Sequence, residues 1–123
     1  MITIDGTPYS VPVVSVTRTA DFLDKYAERT EDGVLHRELI GVYFNYKLKL
    51  GETKNMGAYQ ALWDALTEPT EFHTVVLPDE SGDYTFTAYF ANVSDELRLI
   101  EGSINYWHNL TVNFVAQSPA RTP

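Results

Sequence analysis

Three features of this chain predict an α+β, strand-dominated domain: an antiparallel β-sandwich or barrel with one packed helix and a long β-hairpin. Residues 39–50, Leu-Ile-Gly-Val-Tyr-Phe-Asn-Tyr-Lys-Leu-Lys-Leu, alternate in strand fashion over about twice the usual strand length. Asp5-Gly6 and Asp32-Gly33 each stand between strand-like runs, the sequence signal of a tight hairpin. Helical spacing is convincing only in residues 58–66.

The elements follow in order. Ile2, Thr3 and Ile4, then Asp5-Gly6, then Thr7, Pro8 and Tyr9 make a small hairpin on a type I′ turn. Residues 14–19 alternate as a strand. Residues 21–30 fit two readings: Phe22, Leu23, Tyr26 and Ala27 suit a short helix, but pairing of 25–30 with 34–50 across Asp32-Gly33 as a long hairpin is preferred. Within 39–50, Ile40, Val42, Phe44, Tyr46, Leu48 and Leu50 form the face for burial. Gly41, Tyr43, Asn45, Lys47 and Lys49 form the face for water. Residues 51–57 read as a polar loop. The helix then presents Ala58, Ala61, Leu62, Ala65 and Leu66 as one apolar stripe, and Pro69 ends it. Residues 72–77 and 84–90 flank a turn at 78–83, with Tyr84, Phe86, Ala88 and Phe90 inward. Residues 97–100 are a weaker strand. Leu110, Val112, Phe114 and Ala116 line the inner face of the last one.

With 123 residues the chain is read as a single domain, 1–123, able to bury one sizeable core. It has no cysteine, so disulfides and thiolate metal sites are excluded. The first residues lack a basic and apolar leader and no apolar run approaches a bilayer span, so no membrane association is expected, and the chain is read as folding in a cytoplasm. The net charge of −8 lies wholly in residues 52–101, where ten acidic residues meet only Lys54 and Arg98. Such a surface argues against nucleic-acid binding, which needs cations to displace counterions.

No catalytic constellation emerges, and neither a cofactor nor a metal site is expected. His36, His73 and His108 fall in different elements, without the spacing that sets two imidazoles on one helix face, and are expected at the surface or at strand edges. Residues 51–57 lack the Gly-Lys-Ser/Thr ending of a phosphate loop. Asp79, Glu80 and Asp83 crowd a turn that suits a hard cation but lack the ligand ladder of a calcium loop. Glu28, Glu31, Asp32 and Glu38 suggest a carboxylate pair, although cross-strand ion pairs with Arg29 and Arg37 are the expected use. Trp63, Trp107, Tyr84 and Tyr106 are candidates for a sugar platform, while most tyrosines are expected in the core or an interface. A β-sandwich binding module for a saccharide or divalent cation is therefore the alternative reading.

Several stretches together resemble small structural proteins of tailed-phage and prophage tails, of the tube and distal-tail families. They are the Ile4-Asp5-Gly6 turn, Arg29 with Asp32-Gly33, Gly51 closing the long strand, and the helix from Tyr59 through Leu62-Trp63-Asp64-Ala65-Leu66-Thr67. Further along come Phe72-His73-Thr74-Val75-Val76-Leu77-Pro78, then Trp107-His108-Asn109-Leu110-Thr111-Val112-Asn113-Phe114-Val115-Ala116 with Ser118-Pro119-Ala120-Arg121. The resemblance does not extend to the extra domain of a full distal-tail protein. The resemblance implies a tube-like sandwich with a flanking helix. It also implies a non-catalytic role in a virion tail, assembly in a host cytoplasm, and head-to-tail rings, commonly hexameric, that contact other tail proteins. The hairpin residues Glu28, Arg29, Glu31, Arg37 and Tyr43 are the expected subunit interface.

Overall fold

The computed structural model describes residues 2–53, 55–79, 82–102 and 104–123; at 79, 98–101 and 104–106 the description is of the backbone. In chain order come β1 (Ile2–Ile4), β2 (Thr7–Tyr9), β3 (Val13–Arg29), β4 (Leu35–Leu50), α1 (Met56–Leu66), β5 (His73–Asp79), β6 (Gly82–Glu101) and β7 (Ile104–Ala116). The strands form one seven-stranded sheet in the order β2-β1-β5-β6-β7-β4-β3, and each neighbouring pair is antiparallel. The strand-dominated α+β class is as the sequence predicts. The long hairpin forms, but its first strand runs unbroken from Val13 to Arg29: residues 14–19 and 25–30, expected as separate strands, are one strand because both pair with β4, and no helix forms at 21–30.

The first turn adopts the predicted geometry, with φ of 50° at Asp5 and 84° at Gly6, both positive as a type I′ turn requires. Asp5 also pins this hairpin to β5. Its amide donates to the Thr74 carbonyl at 2.7 Å, and its carboxylate accepts from the Thr74 amide at 2.8 Å. The other carboxylate oxygen lies 2.6 Å from His73 Nδ1, and since a carboxylate only accepts, that nitrogen carries the proton. His73 is buried, contrary to the expected surface or edge position, and its ring stacks on Phe90 at 4.7 Å. An imidazole with one nitrogen satisfied by a carboxylate and a face on an aromatic ring is compatible with burial.

The core is a single cluster fed by five strands and the helix. Ile2 and Ile4 meet Val75 and Leu77, Tyr46, Leu48 and Leu50 from β4, and Leu110, Val112 and Phe114 from β7. Although β7 lies between β6 and β4, the Tyr46 ring is 5.2 Å from Phe86 and the Phe44 ring 6.4 Å from Tyr84. The sheet therefore coils far enough to bring its halves face to face, which gives the sandwich-like core. α1 begins with Asn55 accepting from the Ala58 amide at 3.1 Å and ends with Thr67 donating from backbone and hydroxyl to the Trp63 carbonyl.

Five further expectations need correction. Met56 and Gly57 are the first helical residues rather than loop, because Asn55 supplies the cap. The helix buries Tyr59, Leu62 and Leu66, while Ala61 is exposed, so the buried stripe is rotated from the predicted one. The rotation brings the Tyr59 hydroxyl within 2.9 Å of Asp95, which it needs as a partner. Residues 84–90 and 97–100 belong to one continuous strand, β6, which pairs with β5 in its first part and with β7 in its second. The closing strand starts at Ile104 rather than near Leu110. Finally, the alternation of β4 buries Tyr46, Leu48 and Leu50 but not Ile40, which is 45% exposed; it is Gly41, predicted on the water face, that is buried.

Two partners explain that last inversion. A break in the β3–β4 register between Leu23 and Asp24 places an extra β4 residue there, which resets the alternation. The C-terminal segment also crosses β4: the Val42 amide donates to the Arg121 carbonyl at 2.9 Å, and the Ala120 amide donates to the Val42 carbonyl at 2.8 Å. Pro119 then lies over Gly41 so closely that an added Cβ would stand 2.6 Å from the proline Cβ.

Three outcomes follow from this packing. Leu62→Asp is expected to cost about 3 kcal/mol or more by denaturant unfolding, because it buries a charge, whereas Ala61→Glu on the exposed face stays within about 0.5 kcal/mol. Gly41→Ala is expected to cost about 1–3 kcal/mol by overpacking and to speed hydrogen exchange at the Ala120 and Arg121 amides as the tail lifts. The His73 hydrogen bond first, and the Thr74 amide second, hold the Asp5 carboxyl below its ordinary value of 3.8. A depressed folded-state value means that stabilisation is present above the unfolded value and is lost as pH falls through the folded one. The stability difference between wild type and Asp5→Asn, measured by urea unfolding at several pH values, is therefore expected to be full near neutrality and to shrink below about pH 4.

Candidate functional site, a projecting hairpin

β3 and β4 are 17 and 16 residues long, yet β4 is held by β7 only over Tyr46–Lys49 and by the tail at Val42. Beyond that point the two strands pair, among the described residues, with each other alone, as a ribbon leaving the core. Register shifts flank Asp24 on both sides, and each adds local twist to the arm.

The tip is built from Thr30-Glu31-Asp32-Gly33-Val34. The Gly33 amide donates to the Thr30 carbonyl at 2.9 Å and the Thr30 amide to the Val34 carbonyl at 3.0 Å, with Gly33 at φ 83°. This is the three-residue loop in which a left-handed residue follows the turn. Asp32 braces it by accepting from the Thr30 hydroxyl and from the Val34 amide, and these two bonds hold its carboxyl below the ordinary range. Arg29 donates to the Gly33 carbonyl at 3.0 Å, so it stabilises the turn rather than a cross-strand carboxylate.

The five residues expected at an interface all lie on this arm, spread along it. Glu28 is opposite His36, Arg29 opposite Leu35, Arg37 opposite Ala27, Tyr43 opposite Asp21, and Glu31 is in the turn. Tyr43 is half-buried near the root, and the other four are exposed. Arg37 pairs with Asp24, at 2.6 Å, and lays its guanidinium 5.4 Å from the Phe22 ring centroid. The predicted pairing of the acidic group with Arg29 and Arg37 thus gives way to a turn bond and an Asp24 pair.

The apolar side chains are the feature that sequence reading missed. Among the described residues, eleven large hydrophobic side chains are exposed, and eight of them are Val14, Val16, Phe22, Leu23, Tyr26, Val34, Leu35 and Ile40. Phe22 is 60% exposed. Exposed apolar side chains gathered on one element mark a surface that meets another surface, whereas scattered ones are ordinary. The available signal was strand length, since no core of this size covers both ends of β4.

The remaining candidates do not converge. His36 is on the arm, His73 in the core, and His108 lies 3.7 Å from Glu52 and 3.9 Å from Glu96. No group of three or more metal-ligating side chains occurs among the described residues. The proposed cation turn at Asp79, Glu80 and Asp83 falls largely outside them. Of the four aromatic candidates, Tyr84 packs on Phe86 and Tyr46, Tyr106 is described by backbone only, and Trp63 and Trp107 come together on one cleft. No helix of the described residues is long and apolar enough to cross a membrane. No protein-family model, curated protein or solved structure matches the chain.

Proposed function

We propose that this chain is a non-catalytic structural component of a phage or prophage tail, of the tail-tube or distal-tail and baseplate kind, in which the arm of one copy packs on the body of the next to close a ring. The observation that carries the reading is the arm itself: two long strands outside the core, with Phe22, Leu23, Tyr26, Leu35 and Ile40 exposed along them. An apolar ribbon of this kind is a liability in a monomer and an asset in an assembly, where a second copy removes it from water. Each exposed side chain covered by a neighbour would add about 1.5–3 kcal/mol before the entropic cost of association.

The charge distribution supports the same role. Residues 52–101 hold the full net charge of −8, and Glu68 and Glu71 are exposed. Repeated around a ring, that half would line a passage with negative potential and let nucleic acid slide through without lasting phosphate contacts. The other tail proteins of such a particle are the further partners.

Light scattering of the purified protein over a range of concentrations, with negative-stain microscopy, tests the reading. Closed rings or stacked tubes are expected for wild type. The double substitution Phe22→Ser with Leu23→Ser should shift the mass to monomer while changing unfolding stability by less than about 1 kcal/mol, since both side chains are exposed. A wild type that stays monomeric at high concentration, or a double variant that assembles unchanged, would count against it.

A further inference from the structure

The cleft that joins Trp63 to Trp107 lies between α1 and the outer half of the β6–β7 hairpin, away from the β3–β4 arm. It has a volume of about 270 Å³ and is lined by Tyr59, Gln60, Trp63, Asp95 and Trp107. Among the described residues the lining is three aromatic rings, one carboxylate and one carboxamide, with no basic side chain. Trp107 is 40% exposed, although most large apolar side chains outside the arm are covered.

Two local features place these groups. On the helix, residues 59, 60 and 63 lie on one side at one-turn spacing, which sets both rings and the amide towards β6. On the sheet, β6 and β7 lose register between Ala91 and Ser94 and again between Ser94 and Glu96, with Asn92 at φ 55° and Asn109 at φ 54°. Irregular strand geometry re-aims side chains, and here Asp95 turns to meet the helix. Its Oδ2 accepts from the Tyr59 hydroxyl at 2.9 Å. Burial first, and Asp95 second, raise the Tyr59 phenol above its ordinary value. Gln60 gives its amide nitrogen to Asp64 at 2.9 Å, leaving its carbonyl oxygen as an acceptor.

A half-buried carboxylate held in one orientation, beside tryptophan faces and with no cation among the described lining residues, attracts positive charge. A negative lining and an acidic chain disfavour phosphates, uronates and other anions. A compact primary ammonium is strongly hydrated and costs more to bring into such a cleft, whereas a quaternary ammonium spreads its charge over methyl groups that rest on aromatic faces. We infer that this cleft binds a quaternary ammonium group, with Trp63 and Trp107 facing its methyl carbons and Asp95 balancing its charge. The occupant is thus a choline-like or methylated amine.

Titration of the wild-type protein with choline and with tetramethylammonium, followed by tryptophan fluorescence and proton NMR, tests this. The neutral isostere 3,3-dimethylbutan-1-ol is the control for shape alone. Saturable binding of both cations is expected, with the neutral isostere about tenfold weaker or more. Trp107→Ala and Asp95→Asn should each weaken choline by about tenfold, and the asparagine variant keeps an oxygen for Tyr59 and so keeps the fold, as circular dichroism would verify. The inference fails if neither cation saturates, if the neutral isostere binds equally well, or if a neutral trisaccharide such as cellotriose binds where choline does not. It also fails if Trp107→Ala changes the mass seen by light scattering, because the cleft is then a contact between copies.

Discussion

Strand length against core width is the constraint from which the rest of this architecture follows. A 16-residue strand such as β4 spans about 50 Å at about 3.3 Å per residue. A compact chain of 123 residues has a radius of gyration of about 14 Å. Strands of 16, 17 and 20 residues therefore overhang any core this chain can make. The core occupies the inner part of β4, where Tyr46, Leu48 and Leu50 are buried, and the rest of the hairpin stands out in solvent. β6 deals with the same excess differently. It divides itself between two partners, pairing with β5 up to Ala88 and with β7 from Ala88 onward, which also lets the sheet turn over on itself.

The arm treats its edge and its faces differently. β3 ends the sheet, so one row of its backbone groups has no strand beside it among the described residues. Asp21, Asp24, Lys25 and Glu28 punctuate that strand, and the register shifts at Asp24 twist it, both of which discourage a further strand from adding in line. The faces carry Phe22, Leu23, Tyr26 and Leu35 instead. Such a ribbon favours packing by a face over extension of the sheet.

Where the sequence is legible, local chemistry and core packing agree. Asp5-Gly6 specifies its turn because few residues tolerate positive φ twice in succession, and Leu110, Val112 and Phe114 read as inward because they are. Legibility fails where a distant segment decides. Nothing near Gly41 announces that Pro119 will lie on it, and nothing near His73 announces that Asp5 will meet it across 68 positions. Alternation in residues 39–50 is real, but periodicity reports two faces without saying whether either one is covered. That is why Ile40 reads as buried in the sequence and why the exposure of the apolar side chains at positions 22, 23 and 26 has no local signal. The cleft was legible only as residue types: Trp63 and Trp107 are 44 positions apart in sequence, and only an irregular stretch of β6 aims Asp95 at the helix.

The tail crossing has a mechanical meaning. At Val42 both backbone groups of β4 on its outer side are engaged by Ala120 and Arg121, on the strand's opposite side from β3. That clamp is a fulcrum. Outward from it, six residues of β4 from Leu35 to Ile40, about 20 Å of ribbon, form a lever whose first joint is the irregular pairing around Leu39–Gly41. The arm therefore leaves the body between two anchors, the β4–β7 pairing over Tyr46–Lys49 and the tail crossing at Val42, and a change at either one alters its angle.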